Sequence, residues 1–333
     1  MVATNRQVRV VRMPQAALRP DDFALAQAPW PTPRDGELLV RTRLISIDAA
    51  NRAWLQGLTY RTALAEGEVM AGLAISEVEQ SRAAGFSVGD IVFGDTGWQE
   101  FAVIAADKVE KQPRVEPLSH LLSLYGTSTL TAYFGLHAVA EVQPGETVVI
   151  SAAGGSVGVA AGQLAAIAGA RVIGIAGGAD KCEWLREEVG FAAVIDYKAG
   201  PIRNALREHA PEGIDVYFDN VGGEILDRCL FAMNIGGRIA CCGAVSAYDT
   251  AKPVHGPRGV PGLLVTKRLT MRGFIVTDFA DQQEAALERI RGWVAEGRLR
   301  AYEQVIDGLE AAPDALVAQL AGGNRGKLIV RVS

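Results

Sequence analysis

The sequence is poor in the residues that build metal sites and disulfide frameworks. Its 333 residues include four cysteines (Cys182, Cys229, Cys241 and Cys242), none of them in the first half and none in a C-x-x-C pair, and four histidines. The cysteines and histidines stand at no ligand spacing, which argues against zinc, and we expect no metal site. Burial as reduced thiols, which pack like small apolar side chains, is the simpler role for the cysteines.

The sequence also lacks long runs of positive charge. Lys and Arg number 33 against 38 Asp and Glu, which gives a net charge of −5. Nucleic acid and anionic membranes are therefore not expected as partners. The first residues, MVATNRQVRVVRMP, contain no apolar core of the kind found in signal peptides, so we expect a cytoplasmic protein.

One segment has almost no charge of either sign. Residues 147–178 contain a single charged residue, Arg171, and a hydropathy criterion could interpret them as a membrane span. The segment is rich in Gly and Ala, and it divides into two β-branched runs around an alanine-rich stretch. Buried parallel strands on either side of a packed helix explain this pattern better, so we expect no membrane span.

The first part of the chain has the pattern of a β-rich domain. A length of 333 residues with 49% hydrophobic content suits two cores. Up to residue 118 the short apolar runs predict strands, separated by turns rich in Gly and Asp, and a short helix is expected near 118–124. The predicted strands are residues 8–12, 38–44, 73–78 and 101–104.

From residue 126 onwards strands and helices alternate. Six strands with crossover helices predict a doubly wound parallel sheet, and the fold class is therefore α/β with a β-rich first domain. A Pro- and Gly-rich stretch at 244–262 interrupts the alternation as a long loop. The predicted strands are 147–152, 170–176, 193–197, 215–219, 238–242 and 269–276, and the predicted helices are 157–168, 180–189, 201–210, 223–234 and 281–296.

The C-terminal residues come too late to belong to the doubly wound sheet. A strand at 302–306, a helix at 312–320 and a strand at 327–332 are expected to return to the first domain. The predicted domains are residues 1–125 with 299–333, and residues 126–298.

The string GGSVG at residues 154–158 fits two motifs. It matches G-x-S-x-G, the nucleophile elbow of serine hydrolases, with Asp219 and His255 downstream in the required order. With Ala153 in the first position, it also matches the G-x-G-x-x-G turn that binds a dinucleotide pyrophosphate. No HGGG-type oxyanion loop precedes Ser156, and four more strands follow the first strand–helix–strand unit. The context therefore favours the dinucleotide turn.

In that turn each residue has a physical task. Gly155 allows backbone N–H groups to approach the pyrophosphate, and Gly158 allows the helix to pack closely against its strand. Ser156 stands just before Val157, which begins the predicted helix, and the N-terminus of that helix favours an anion. We therefore expect all four residues to bind the cofactor.

The end of the second strand of this domain indicates which dinucleotide binds. NAD sites carry an Asp or Glu there for the ribose 2′-hydroxyl, but this strand ends in GIAGG at 174–178. Lys181 follows on the next helix, and Tyr197 ends the third strand. Small residues, including Gly178, with a nearby cation suit the 2′-phosphate of NADP. Asp180 beside Lys181 counts against this assignment, and a solvated surface lysine is the alternative.

With these features the sequence resembles the zinc-independent medium-chain dehydrogenase/reductases. More narrowly, it resembles the group of leukotriene B4 dehydrogenase, prostaglandin reductase and curcumin reductase. The resemblance runs in order along nearly the whole chain. The motifs that carry it are SIDAANR (46–52), GEVMAG (67–72), GDIVFGDTGWQEF (89–101), TAYFGL (131–136), SAAGGSVG (151–158), VIGIAGGADKCEWL (172–185), FDNVGG (218–223), CCGAVSAY (241–248) and GNRGKLIVRV (323–332).

The resemblance implies a GroES-like first domain closed by the C-terminal tail, a Rossmann domain that binds NADP(H), and a homodimer. It implies reduction of the C=C bond of α,β-unsaturated ketones and aldehydes, with hydride transfer to the β-carbon. Besides the glycine-turn residues and Gly178, it implies cofactor contacts at Thr131, Lys181, Tyr197, Asn220, Cys242, Gly243, Phe274, Ile275, Val276, Asn324 and Gly326.

The substrate side carries fewer matches. Tyr248 corresponds to a family tyrosine near the reacting carbonyl, and we expect its hydroxyl to donate a hydrogen bond to the enolate oxygen. Asn51, Tyr60 and Met70 are candidate substrate contacts. Residues 48–52 read DAANR where many relatives have DPYMR, so a prostaglandin-like pocket is not expected.

Two further interpretations stay open at this stage besides the hydrolase. A quinone oxidoreductase of the same superfamily would share nearly every motif. A non-catalytic NADPH-binding protein would share the cofactor set.

Overall fold

A computed structural model describes residues 4–57, 61–250 and 256–332. Within it the chain forms two compact units. The first comprises Met1–Leu122, Tyr248–Ala251 and Glu303–Ser333, and the second comprises Ser123–Ala247 and Lys252–Tyr302. The short segment Tyr248–Ala251 thus belongs to the first unit although the residues on both sides of it belong to the second, which the sequence did not predict.

The strands are β1 (Thr4–Val10), β2 (Phe23–Pro29), β3 (Glu37–Ile47), β4 (Leu73–Ser81), β5 (Ile91–Asp95), β6 (Phe101–Ala105), β7 (Val109–Gln112), β8 (Thr147–Ser151), β9 (Arg171–Ala176), β10 (Ala193–Asp196), β11 (Ile214–Asp219), β12 (Met233–Cys241), β13 (Thr270–Gly273), β14 (Glu303–Asp307) and β15 (Lys327–Arg331).

The α-helices are α1 (Ala49–Ala53), α2 (Thr127–Phe134), α3 (Ser156–Ile167), α4 (Ala179–Trp184), α5 (Ile202–His209), α6 (Gly223–Ala232), α7 (Val260–Lys267), α8 (Gln283–Ala295) and α9 (Ala312–Leu320). α2 and α4 each continue into a short π-helix, Gly135–Val139 and Leu185–Val189. Single 3-10 turns occur elsewhere, among them Leu118–Leu121 and Val276–Gln282.

The strands of the first unit pair antiparallel, except β14 and β15, which run parallel. β1 and β2 form a two-stranded sheet, and a larger sheet has the order β14-β15-β3-β4-β5-β7, with β6 also paired to β3. β15 pairs antiparallel with β3, where Leu328 lies opposite Ile47. The C-terminal strands therefore complete the sheet that the N-terminal part of the chain begins.

The second unit contains a parallel sheet whose described strands have the order β10-β9-β8-β11-β12-β13. This is the strand order of a dinucleotide-binding doubly wound sheet, and the predicted α/β fold class is confirmed. Alternate residues of each strand enter the two cores on opposite faces, so that Val148 and Ile150 lie in one core and Val149 in the other. β8 and β11 are neighbours, and the order of the strands reverses between them. Ligands of such sheets bind at this crevice.

The charge-poor stretch at 147–178 folds as β8, α3 and β9, as the sequence predicts. α3 is only 12 residues long, and most of its alanines and glycines are buried within the protein. None of the helices in the described ranges has the length and apolarity needed to cross a bilayer.

Several predicted elements were wrong in part, and the strand predicted at 238–242 begins already at Met233. The helix predicted at 223–234 ends at Ala232, because the following residues already belong to β12. The strand predicted at 269–276 ends at Gly273. The loop predicted at 244–262 contains a 3-10 turn, Val245–Ala247, and the start of α7. α1, α2 and α7, and the strands β2, β5 and β7, had no predicted counterpart.

Candidate cofactor and active site

The turn from β8 into α3 has the shape of a phosphate-binding turn. A Cβ added at Gly158 would lie 2.3 Å from the carbonyl oxygen of Ala152, so only glycine lets the helix approach the strand this closely. A Cβ at Gly155 would lie 3.3 Å from the same oxygen, a tight but looser contact. Ala152 itself has a positive φ of 48°. The turn is tight, and the Gly155 N–H closes it by donating to the carbonyl of Ala152 at 3.0 Å.

The first turn of α3 leaves its backbone donors for a ligand. Gly155 is the N-cap residue, and among the described residues no side chain caps this helix. The opening N–H groups of a helix have no partner within it, and the helix dipole adds positive charge there. An anionic pyrophosphate fits this arrangement.

Ser156 lacks the geometry of a hydrolase nucleophile. Its hydroxyl accepts a hydrogen bond from the hydroxyl of Ser128 at 3.1 Å, and it does not have the positive φ expected of a strained strand-to-helix turn. The Asp219 carboxylate accepts a hydrogen bond from the buried Tyr217 hydroxyl at 2.8 Å. His255, the third residue of that alternative, lies outside the described residues. The structure gives the hydrolase hypothesis no support.

Two glycines, Gly154 in the turn after β8 and Gly177 after β9, lie against two lysines and a tyrosine. A Cβ at Gly154 would lie 2.6 Å from Cδ of Lys181, so the lysine side chain lies across the phosphate turn. A Cβ at Gly177 would lie 2.8 Å from the ring of Tyr197 and 2.9 Å from Cε of Lys198. The structure therefore brings the predicted Lys181 and Tyr197 to the same end of the sheet, beside small residues.

Lys198 joins this group, although the sequence analysis did not select it. Its Nζ lies 5.9 Å from the centre of the Tyr197 ring. Asp196, the residue before that tyrosine, accepts hydrogen bonds at 2.9 Å from the backbone N–H groups of both Gly178 and Lys198. This carboxylate holds the two strand ends together. The signal in the sequence was the adjacent Tyr-Lys pair at 197–198.

A buried network of hydrogen bonds joins the ends of β8 and β11. Oδ1 of Asp219 accepts hydrogen bonds from the hydroxyls of Tyr217 and Ser151 and from the N–H groups that begin the next turn. Asn220 donates through its backbone N–H to the Ser151 hydroxyl at 2.9 Å, and through Nδ2 to the Ser151 carbonyl at 2.7 Å. Asn220, a predicted cofactor contact, is thereby fixed at the point where strand order reverses.

Cys242 and Gly243 follow β12 at the same end of the sheet. Their N–H groups donate to the carbonyl of Asp219 at 2.8 and 3.1 Å. Burial, and secondly the Asp219 charge, raises the pKa of the Cys242 thiol to about 12, and the same causes raise that of Cys241 to about 11. Both thiols are therefore protonated at neutral pH, which agrees with a packing role and not with a nucleophile.

The remaining predicted contacts of the second unit lie around α2 and the end of β13. Thr131 donates its hydroxyl to the carbonyl of Thr127 at 2.7 Å. The rings of Phe274 and Phe218 meet edge to face at 6.3 Å. Ile275 is exposed and Val276 begins a 3-10 helix, so these predicted contacts lie beyond the end of β13 and not within it.

In the first unit, two predicted substrate residues are fully buried. Asn51 accepts a hydrogen bond from the backbone N–H of Asp48 at 2.8 Å and donates to the carbonyl of Ala71 at 3.1 Å, and it is 1% exposed. Met70 is 0% exposed within the apolar core. Both residues shape this unit and present no surface to a substrate here. Tyr60 lies outside the described residues.

Two other predicted residues of the first unit form the turn before β15. Asn324 donates through Nδ2 to the carbonyl of Gly326 at 2.9 Å, and Gly326 has a φ of 70°, which favours glycine. Tyr248 is half-buried in the segment that joins this unit.

The residues present do not fit a zinc ion. In the three described ranges, no group of three or more His, Cys, Asp or Glu side chains could hold a metal.

Comparisons with known proteins agree with this geometry. Residues 6–112 match a family described as the N-terminal domain of oxidoreductase, and residues 156–291 match one described as zinc-binding dehydrogenase. The chain is 37% identical to prostaglandin reductase 1 of Bos taurus over 316 residues, which cover 93% of this chain and 94% of the relative.

Two bacterial proteins show the same similarity. The chain is 35% identical over 335 residues to the NADPH-dependent curcumin reductase of Escherichia coli (strain K12), covering 99% and 97% of the two chains. The crystal structure of CurA from Vibrio vulnificus in complex with NADPH matches with a TM-score of 0.94 and 35% identity, covering 98% and 99% of the two chains.

Proposed function

The chain belongs to the medium-chain dehydrogenase/reductase family, in the group of the prostaglandin and curcumin reductases, and from this premise we propose that it reduces the C=C bond of α,β-unsaturated ketones and aldehydes with NADPH and without a metal ion. The observation that carries the cofactor assignment is the end of β9. β9 is followed by glycines that lie near Lys181, Tyr197 and Lys198, and it does not end in the carboxylate that an NAD site requires. The nearby Asp196 carboxylate already accepts from the N–H groups of Gly178 and Lys198.

The residues fit NADPH because glycines line the backbone where its phosphates would lie. The pyrophosphate would lie against the N-terminus of α3, where Gly155 and Gly158 keep the backbone bare. The 2′-phosphate would lie beside Gly177, with Lys181 and Lys198 as its cations and the Tyr197 hydroxyl as a donor. We assign the second unit, predicted as residues 126–298, as the cofactor domain.

The first unit, predicted as residues 1–125 with 299–333, is assigned as the substrate domain. The second unit would hold NADPH through the α3 turn and Lys181, and the bound cofactor would supply the hydride for the β-carbon of the substrate. The Tyr248 hydroxyl donates a hydrogen bond to the carbonyl oxygen, where negative charge accumulates, and the α-carbon takes its proton from water. A positioned donor of this kind is typically worth about 3 kcal/mol of barrier.

We also infer a homodimer that forms through the exposed face of α7 and β13. α7 has the sequence VPGLLVTK, yet none of its residues is buried, and Val265 is 75% exposed. β13 pairs with β12 on one side, and in the described part of the chain no strand pairs with its other edge. An apolar helix beside an open strand edge suits a second copy of the chain. Light scattering should give twice the chain mass, and Val265→Asp should reduce it to the chain mass.

The cytoplasmic location stays a prediction.

The proposed activity is tested by following NADPH oxidation with a panel of substrates. The panel contains a 2-alkenal, an alkenone, a quinone and a chromogenic ester, each with NADPH and with NADH. We expect turnover with the alkenal and alkenone, and a clear preference for NADPH. Turnover restricted to the quinone would establish the quinone oxidoreductase instead, and NADPH binding with no turnover would establish a non-catalytic protein.

A further inference from the structure

The segment around Tyr248 is fixed on both sides by hydrogen bonds. On its N-terminal side, the backbone N–H groups of Val245 and Ser246 donate to the carbonyls of Asn220 and Val221 at 3.2 and 3.1 Å. The Ser246 hydroxyl also donates to the carbonyl of Val221, at 2.6 Å. These bonds hold residues 245–246 at the end of β11, within the second unit.

On its C-terminal side, the segment is held within the first unit by one carboxylate oxygen. Oδ1 of Asp249 accepts a hydrogen bond from the backbone N–H of Leu18 at 2.7 Å and from Nε of Arg52 at 2.9 Å. Arg52 in turn donates through Nη2 to the carbonyl of Ala16 at 2.8 Å. Asp249 therefore joins residues 16–18, helix α1 and the Tyr248 segment.

The anchor on which Asp249 rests is rigid and buried. Arg52 is 1% exposed, and α1 is held at its start by the Asn51 amide, which bonds to Asp48 and Ala71. In the described part of the chain, Asp249 is the acidic group paired with this guanidinium, and Nη1 of Arg52 is buried without a partner. A buried cation needs its counter-charge, so the geometry of the pair is strongly constrained.

We propose that Asp249 is a positioning residue, which acts through Arg52 and α1 to hold the Tyr248 hydroxyl where it donates to the substrate carbonyl. The inference rests on the proposed function, because it assigns Tyr248 the donor role. A donor works only when it is held within a fraction of an ångström of its productive place. Tyr248 directly precedes Asp249, so loss of the Asp249 hydrogen bonds removes a restraint on its position.

The test compares three variants of the full-length protein. Asp249→Ala removes the acceptor, and we expect kcat with an alkenone to fall by about 10- to 100-fold while the Kd for NADPH stays within about twofold. Asp249→Asn keeps an Oδ1 that accepts from both Leu18 and Arg52, so kcat should stay within about threefold of wild type. Both variants leave Arg52 without a counter-charge and should lower the melting temperature.

Glu77→Ala is the matched control. Glu77 accepts from Nε and Nη2 of Arg43 at 3.1 and 2.7 Å in the same unit, and its exposure is similar to that of Asp249. It should lower the melting temperature without lowering kcat. If Glu77→Ala and Asp249→Asn lose as much kcat as Asp249→Ala, lost stability explains the effect and the positioning role is overturned.

A double variant shows whether Asp249 acts through Tyr248. In a Tyr248→Phe background, Asp249→Ala should lower kcat by less than about twofold further, because the hydroxyl that it positions is already absent. Additive losses would overturn the inference.

Hydrogen exchange of the peptide spanning residues 245–250 separates this inference from the proposed function. Faster exchange in Asp249→Ala than in Asp249→Asn supports the anchoring even if wild type reduces no alkenone, in which case only the proposed function fails. Equal exchange in both variants overturns the anchoring whatever the activity.

Discussion

The two units of the chain fix their functional residues in different ways. In the second unit, the turn before α3 is formed by backbone and by glycines such as Gly158, where a Cβ would collide with the chain itself. In the first unit, the Tyr248 segment is held by side chains, and the Arg52–Asp249 pair joins residues 197 positions apart. A site formed by backbone can therefore be recognised from a short local motif. A site held by side chains from distant parts of the chain can be recognised only in the folded structure.

We expect the largest effect from a substitution at Gly158, where the backbone alone forms the site. Gly158→Ala puts a Cβ 2.3 Å from a backbone oxygen that cannot move aside, and we expect loss of measurable NADPH binding with a destabilisation of about 1–3 kcal/mol or more. Gly155→Ala is the matched control, since its Cβ would lie 3.3 Å from the same oxygen. Coenzyme fluorescence and thermal unfolding measure both effects. Equal behaviour of the two variants would contradict the close-packing account.

The next largest effect is expected at Tyr248. Tyr248→Phe removes the donor and keeps the ring, so kcat with an alkenone should fall by about 100-fold, while the Kd for NADPH hardly changes. Steady-state kinetics and coenzyme titration measure the two quantities. Turnover within about twofold of wild type would remove Tyr248 from the mechanism.

A smaller and more selective effect is expected at Lys181. Lys181→Ala should raise the Kd for NADPH by about tenfold, because a charge-assisted contact to the 2′-phosphate is lost, and it should leave the Kd for NADH nearly unchanged. Lys267→Ala, whose lysine bonds to the carbonyls of Phe231 and Met233 in the same unit, serves as the control. An equal loss of affinity for both coenzymes would place Lys181 away from the 2′-phosphate.

The smallest effect concerns the interior of the second unit. Burial, and secondly the nearby Arg289 charge, lowers the pKa of His137 from 6.5 to about 4. The unfolded chain thus binds a proton between these pH values that the folded protein does not. The free energy of unfolding should therefore fall, by at most about 1.4 kcal/mol per pH unit, as the pH drops from about 6.5 towards 4.

His137→Phe should flatten this dependence in denaturant titrations, because a phenyl ring keeps the packing against Tyr133 and Trp293 without a titrating group. An unchanged slope would mean that other groups cause it.

The sequence predicted the second unit well because its signals are local. The charge-poor β-branched runs of β8 and β9 marked buried strands, and the glycine turn between strand and helix marked the cofactor side. α2 and α7 were missed for a physical reason. TSTLTAYF is buried on most sides and VPGLLVTK has hardly any polar residues, so neither shows the one-sided pattern that identifies a surface helix.

The first unit was harder to predict from sequence. Asn51 and Met70 were expected to face a substrate, but their burial depends on strands and helices that come together from distant parts of the chain. The same holds for Asp249, whose neighbours in the sequence give no sign that it pairs with Arg52. Motifs located the coenzyme side, and only the folded chain shows what holds the Tyr248 segment.

The most direct test of the proposed reaction is the fate of the hydride. Wild-type protein is incubated with an alkenone and NADPH that carries deuterium at the transferable position, and the product is analysed by mass spectrometry and NMR. We expect the saturated ketone with one deuterium on the β-carbon. An allylic alcohol with deuterium on the carbonyl carbon, or no deuterated product, would contradict the account.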